Sequence, residues 1–224
     1  MKKILFLIAI LVGMQGLQAQ DYTTVTDSDP AAKAVLEKLK TKYGGLNALK
    51  ADFSLTIEIP EEDRIVQKGK MAQLGDKYRL DMPEQSIISD GKTLWYHLKG
   101  NNEVQINDAE EIMEEDEFLS PQKVIDMYEN GDFVYILADE YSKGGTVMQH
   151  IEFKPIDRES DIFKLKVLVD KKANSIAEVK AFSKDGARYT LKMLSFDPAA
   201  RFDKGYFKFD KTQFPDIYVE DLRL

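Results

Sequence analysis

The sequence predicts a mainly β fold of the α+β class: a curved antiparallel β-barrel, left incomplete, with helices covering its concave face. Three observations carry this. Short runs of alternating apolar and polar residues follow one another along most of the chain, the pattern of strands with one buried and one wet face. The segments between them are brief and rich in Gly, Asn and Asp, which fold a chain back on itself rather than carry it through a parallel crossover. Only two stretches show helical spacing. A meander of roughly ten strands must curl, because open sheets of that size rarely stay flat. Its apolar face is then either filled by its own side chains, as in a barrel, or covered by the two helices.

The first residues read as an export signal. Lys2 and Lys3 precede an apolar run from Ile4 to Val12, and Gly16-Leu17-Gln18-Ala19-Gln20 offers small residues for cleavage after Ala19. The run is too short for a membrane span, which needs roughly 20 residues. The expected division is therefore a signal peptide over 1–19 and a single domain over 20–224, with a periplasmic location; an uncleaved anchor is the competing reading.

Asp21 to Ser28 is a polar arm. Asp29-Pro30 is a cap followed by a first-turn proline. Ala32, Val35, Leu36, Leu39 and Tyr43 then mark one face of a helix that Gly44-Gly45 ends. Ala51 to Ile59 alternates, with Phe53, Leu55, Ile57 and Ile59 on one side. After the Pro60 to Asp63 turn come strands over Arg64 to Leu74 and Lys77 to Met82, around Gly75-Asp76. Ser86 to Ser89 and Thr93 to Leu98 flank Asp90-Gly91-Lys92, an Asp-Gly hairpin of predicted type I′. Gly100-Asn101-Asn102 turns into Glu103 to Ile106.

The sheet is then interrupted by an acidic stretch, with seven carboxylates between Asp108 and Glu117. It lacks the alternating ligands and turn glycine of an EF-hand and reads as a solvated segment. Ser120-Pro121 repeats the cap-and-proline signature before Val124, Ile125, Met127 and Tyr128. Strands resume over Asp132 to Leu137, Val147 to Phe153, Phe163 to Asp170, Ser175 to Ser183 and Arg188 to Phe196, and a last one is expected over Gly205 to Phe209.

Composition narrows the function. The chain has no cysteine, which removes disulfides, thiol catalysis and lipid attachment through cysteine. Its 31 basic residues, less Lys2 and Lys3, stand against 39 acidic ones, a net charge near −10 for the mature chain. Nucleic acid and anionic membranes are poor partners for such a molecule. His97 and His150 sit in separate strands without metal-ligand spacing, and no Gly-x-Ser-x-Gly or phosphate-binding loop occurs. The expectation is a protein that is not an enzyme and uses no metal or cofactor. In contrast, 12 Phe, 10 Tyr and 8 Met supply a large apolar inventory. Burying an alkyl chain contributes about 0.8 kcal/mol per CH₂, so acyl chains can be held without any catalytic group. Flexible Met71, Met82, Met113 and Met127 suit such irregular cargo.

The stretch Ser89-Asp90-Gly91-Lys92-Thr93-Leu94-Trp95-Tyr96 resembles the central motif of the periplasmic lipoprotein carrier family (LolA-like). The order of other pieces is similar too: Leu49 to Leu55, Val66 to Met71, Pro121, Phe153-Lys154-Pro155, Phe207-Lys208-Phe209 and Phe214-Pro215. The resemblance implies an incomplete barrel closed by a helical lid and a monomeric carrier that shelters the acyl chains of lipoproteins. Such a carrier receives cargo from an inner-membrane lipoprotein-releasing ABC transporter and delivers it to an outer-membrane acceptor. The expected cavity is lined by Phe53, Leu55, Ile57, Leu80, Met82, Leu94 and Tyr96, whose inward register follows from strand alternation, and by Val124 and Met127 on the apolar face of the mid-chain helix. One departure stands out. The family's Arg-Pro pair, whose Arg latches the lid, is replaced by Leu74-Gly75-Asp76-Lys77, leaving Lys77 and Arg79 as the nearby cations. A lipid-binding or lipid-sensing protein on the same fold, without lipoprotein delivery, is the alternative; an enzyme acting on glycans through paired carboxylates is a third.

Overall fold

The computed structural model describes residues 24–109 and 121–223; the proposed signal, Met113 and most of the acidic stretch lie outside them. Helix α1 spans Pro30–Tyr43 and α2 spans Pro121–Asn130. The strands are β1 (Ala48–Glu58), β2 (Ile65–Leu74), β3 (Lys77–Asp81), β4 (Gln85–Ser89), β5 (Thr93–Leu98), β6 (Glu103–Asp108), β7 (Phe133–Lys143), β8 (Thr146–Pro155), β9 (Ile162–Asp170), β10 (Ser175–Ser183), β11 (Arg188–Asp197) and β12 (Tyr218–Asp221). All twelve belong to one sheet in the order β12-β6-β5-β4-β3-β2-β1-β11-β10-β9-β8-β7. The sheet curves as an incomplete barrel. Two meanders, β1–β6 and β7–β11, are joined where β1 pairs with β11 from Lys50 opposite Asp197 to Glu58 opposite Arg188. Among the described residues no helix is long and apolar enough to cross a membrane.

Helix α1 starts where the sequence places it. Asp29 Oδ1 accepts from Ala31 N at 2.8 Å, while its other carboxylate oxygen accepts from Leu137 N at 3.1 Å and its own N–H donates to the Tyr135 carbonyl at 2.9 Å. One residue therefore caps a helix and occupies the free edge of β7, which would otherwise invite pairing with another chain. Ala32, Val35, Leu36, Leu39 and Tyr43 are buried, and the Tyr43 hydroxyl accepts from Ile176 N at 3.0 Å. Full burial of each large apolar side chain contributes about 1.5–3 kcal/mol, so the helix is held by this stripe rather than by its own propensity.

The two faces of the sheet are covered unequally. On the concave face, α1 and α2 pack over the second meander, against Tyr135, Ile151, Phe153, Leu165, Val167, Val169 and Val179. On the convex face, the segment after β11 folds back over the first meander. His97, 5% exposed, meets Phe209 and Phe214 edge-on with ring centroids 5.2 and 4.6 Å apart, and Phe207 is buried nearby.

Three expectations are corrected. Gly205 to Phe209 forms turns rather than a strand, because Phe207 and Phe209 are used to pack the convex face. The last strand is instead Tyr218–Asp221, and it runs parallel to β6, so the sheet is not purely a meander. The Asp90-Gly91-Lys92 turn has positive φ only at Gly91 (87°), whereas type I′ requires it at both central residues. Asp90 N donates to the Thr93 carbonyl, placing Gly91 and Lys92 at the centre, as in type II′. The Asp90 carboxylate accepts from Lys92 N and Thr93 N at 3.1 and 3.0 Å.

Candidate functional site

Cross-strand register decides which side chains share a face. Met71 lies opposite Leu80, Leu80 opposite Ile87 and Ile87 opposite Tyr96. Ile57 lies opposite Ile65 on one side and Tyr189 on the other, and Leu55 opposite Gln67 and Leu191. Since directly opposed residues project to one face, these form a largely apolar and aromatic surface over the first meander, interrupted by Gln67, Gln73 and Ser89. It is the same concave face on which the helices pack over the second meander. Leu55, Ile57, Met71, Tyr78, Leu80, Tyr96 and Met193 are half-buried, in contrast to the fully packed helical half.

A close approach shapes the centre of this surface. Phe53 lies opposite Gly69, and a side-chain carbon added at Gly69 would fall 2.3 Å from Phe53 Cζ. The ring thus occupies the space that any other residue would claim on β2, and it is 3% exposed.

The nine residues expected to line a cavity divide into groups. Leu55, Ile57, Leu80 and Tyr96 lie on the open concave surface, with Phe53 and Leu94 beneath it as a buried floor. Val124 and Met127 are buried in the core formed by α1, α2 and the second meander. Met82 lies past the end of β3, where its N–H donates to the Gln85 carbonyl, and it lines a groove of different chemistry. Sequence reasoning left out Tyr78 and Met193. Tyr78 alternates with Leu80, so its signal was present; Met193 required the β1–β11 register, which no local pattern reveals.

Neither cation considered for the lid latch reaches this face. Arg79 projects from the convex side and is held there, its Nε donating to Asp81 Oδ2 at 2.7 Å and its Nη1 to the Tyr206 carbonyl at 3.2 Å. Lys77 alternates with it and shares that side. Burial opposes ionisation of Asp81, but hydrogen bonds from Arg79 and Ser86 outweigh it and hold the carboxyl below its usual range. Helix α2 is tied to α1 near the surface by Lys40–Glu129 at 2.6 Å and by the Tyr128 hydroxyl donating to Glu37; burial and that carboxylate push the Tyr128 phenol upward. Among the described residues no three His, Cys, Asp or Glu side chains are grouped to hold a metal ion.

No family model matches the chain, and no curated protein matches its sequence. Solved structures similar to it include a LolA superfamily protein from Nitrosomonas europaea, at 13% identity and a TM-score of 0.40, covering 80% of this chain and 98% of that one. Another is described as an outer-membrane lipoprotein-sorting protein domain from Vibrio parahaemolyticus, at 11% identity and TM-score 0.42, covering 78% and 95%. A third is the lipoprotein LppX of Mycobacterium tuberculosis, at 10% identity and TM-score 0.46, covering 79% and 100%. The likeness is one of fold.

Proposed function

We propose that this protein is a periplasmic carrier that shelters the acyl chains of lipoproteins on the concave surface of the half-barrel and shuttles them from the inner to the outer membrane. The observation that supports it is the unequal cover of one continuous face: helices pack over β7–β11, while Leu55, Ile57, Met71, Leu80 and Tyr96 on the first meander remain half-buried. A largely apolar surface binds alkyl chains in proportion to the apolar area it removes from water, about 25 cal/mol per Å². In this reading the cargo comes from a lipoprotein-releasing ABC transporter and passes to an outer-membrane acceptor.

Binding of a fluorescent triacylated peptide tests the reading. Leu80→Glu places a carboxylate in the middle of the Met71–Leu80–Ile87–Tyr96 row and should weaken binding at least tenfold while the melting temperature changes little. Unchanged affinity would refute the site. A second reading is a lipid-binding protein without lipoprotein delivery, favoured by the placement of Arg79 and Lys77 on the convex side, away from the helices. Native mass spectrometry of protein purified from its own periplasm separates the two: acylated peptide or protein supports the carrier, free lipid alone the alternative.

A further inference from the structure

The convex side of β1–β3 carries a groove of about 660 Å³ lined by Asp52, Lys68, Lys70, Arg79, Asp81 and Lys99. In a chain of net charge −8 this is a local excess of cations. Its two carboxylates are already engaged. Asp81 accepts from Arg79 and, at 2.7 Å, from the Ser86 hydroxyl, and Asp52 accepts from the Ser195 hydroxyl at 2.6 Å. Lys70 lies directly between them in register, opposite Asp52 on β1 and Asp81 on β3, yet among the described residues it forms an ion pair with neither, and Lys68 has no carboxylate partner. Lys99 reaches in from the end of β5 and donates to the Met82 carbonyl. Two lysines thus face the groove with their charge uncompensated, supported by two more cations fixed beside them.

The rim is apolar. Val66 continues the Lys68–Lys70 alternation on β2 and is 54% exposed, and Leu194, extruded at the β1–β11 irregularity, is 56% exposed. A site for a free anion surrounds it with donors, whereas this groove is open and pairs cations with exposed aliphatic side chains. That combination suits an interface where phosphate lies beside hydrocarbon. We propose that the groove docks the protein on the phosphate headgroups of an anionic phospholipid surface. The site lies on the face opposite the acyl-chain surface, so a molecule resting on the membrane through it leaves its concave face free, and net negative charge elsewhere keeps the contact weak and reversible.

The test is co-sedimentation of the mature protein with vesicles of phosphatidylglycerol, set against vesicles of phosphatidylcholine, at low and at physiological ionic strength. Binding should be confined to phosphatidylglycerol and should fall with salt. Lys68→Ser combined with Lys70→Ser should lower it roughly 30-fold, the effect of two surface cations at an anionic leaflet. Leu194→Ser should weaken vesicle binding without altering its salt dependence. If the double variant melts early, Lys99→Ser at the exposed strand end replaces it. Equal binding to both vesicles, binding indifferent to these substitutions, or titration showing that inorganic phosphate binds at the lysines while vesicles do not, would each overturn the proposal. No acylated cargo is used, so failure here leaves the acyl-chain reading to its own test.

Discussion

Gly69→Ala is a small change with a large predicted consequence. The glycine has ordinary strand φ, so alanine is acceptable to the backbone and would normally stabilise a strand by about 0.5–1 kcal/mol through reduced freedom of the unfolded chain. Here the new carbon would lie 2.3 Å from Phe53 Cζ, 2.8 Å from Cε1 and 3.0 Å from the Asp81 carbonyl oxygen. The ring is the atom group that must give way, and at 3% exposure it has packed neighbours on every side. An approach of 2.3 Å belongs in the upper half of the about 1–3 kcal/mol that overpacking costs, and taking about 1 kcal/mol for the backbone gain leaves a net loss of about 1–2 kcal/mol. For a domain of this size that is a fall of about 2–8 °C in melting temperature. Urea unfolding should show a lower midpoint with an unchanged slope. The decisive measurement is the double-mutant cycle with Phe53→Leu: the smaller side chain should be less harmful in the alanine background than alone, with a coupling of at least about 0.5 kcal/mol. An unchanged or higher midpoint for Gly69→Ala, or strict additivity, would refute the account of Phe53 seated on Gly69.

Two further outcomes follow from particular contacts. Asp29→Ala removes both the α1 cap and the acceptor for Leu137 N, so stability should fall by about 1–2 kcal/mol and the Leu137 amide should exchange markedly faster, while Asp29→Asn keeps most of the cap. His97 is buried among Phe209 and Phe214, and burial, then the nearby Lys99 and Arg79 charges, depress its pKa below 6.5, with Asp81 pulling weakly the other way. Below pH 6.5 the unfolded chain therefore binds the proton more readily than the folded one. Stability is fully present above that value and declines as pH falls through the histidine range, before most carboxylates titrate; His97→Gln should flatten this part of a plot of unfolding free energy against pH.

How much was legible depended on the range of the interaction. Period-two alternation is rigid, and it placed Phe53, Leu55, Ile57, Leu80, Leu94 and Tyr96 on one face because a strand has no other way to orient them. The same logic could not tell floor from surface. Phe53 is buried because of what its neighbour lacks, and Val124 and Met127 have helical spacing that fits a packed core as well as a cavity. The acidic outer half of β7 was missed because the irregularity between Leu137 and Asp139 breaks its alternation. Strand β12 is four residues long, half of them carboxylates, and its partner lies far away in sequence, so no local preference announces it. The convergence of Lys68, Lys70, Arg79 and Lys99 was equally hidden, since only register brings three strands' cations to one groove.

The seam between β1 and β11 has a consequence for how the molecule comes into being. A chain folding from its amino end can complete β1 through β6 from neighbouring residues, but β1 then waits with one unpaired edge until β11, the last strand of the second meander, is in place. Contacts so distant in sequence are slow to form, on the scale of milliseconds to seconds for sheet proteins. The final zipper also brings together the helix-packed half and the open half of the concave face. The concave face is therefore completed last: until the β1–β11 zipper closes, each half of the sheet exposes its apolar side chains separately.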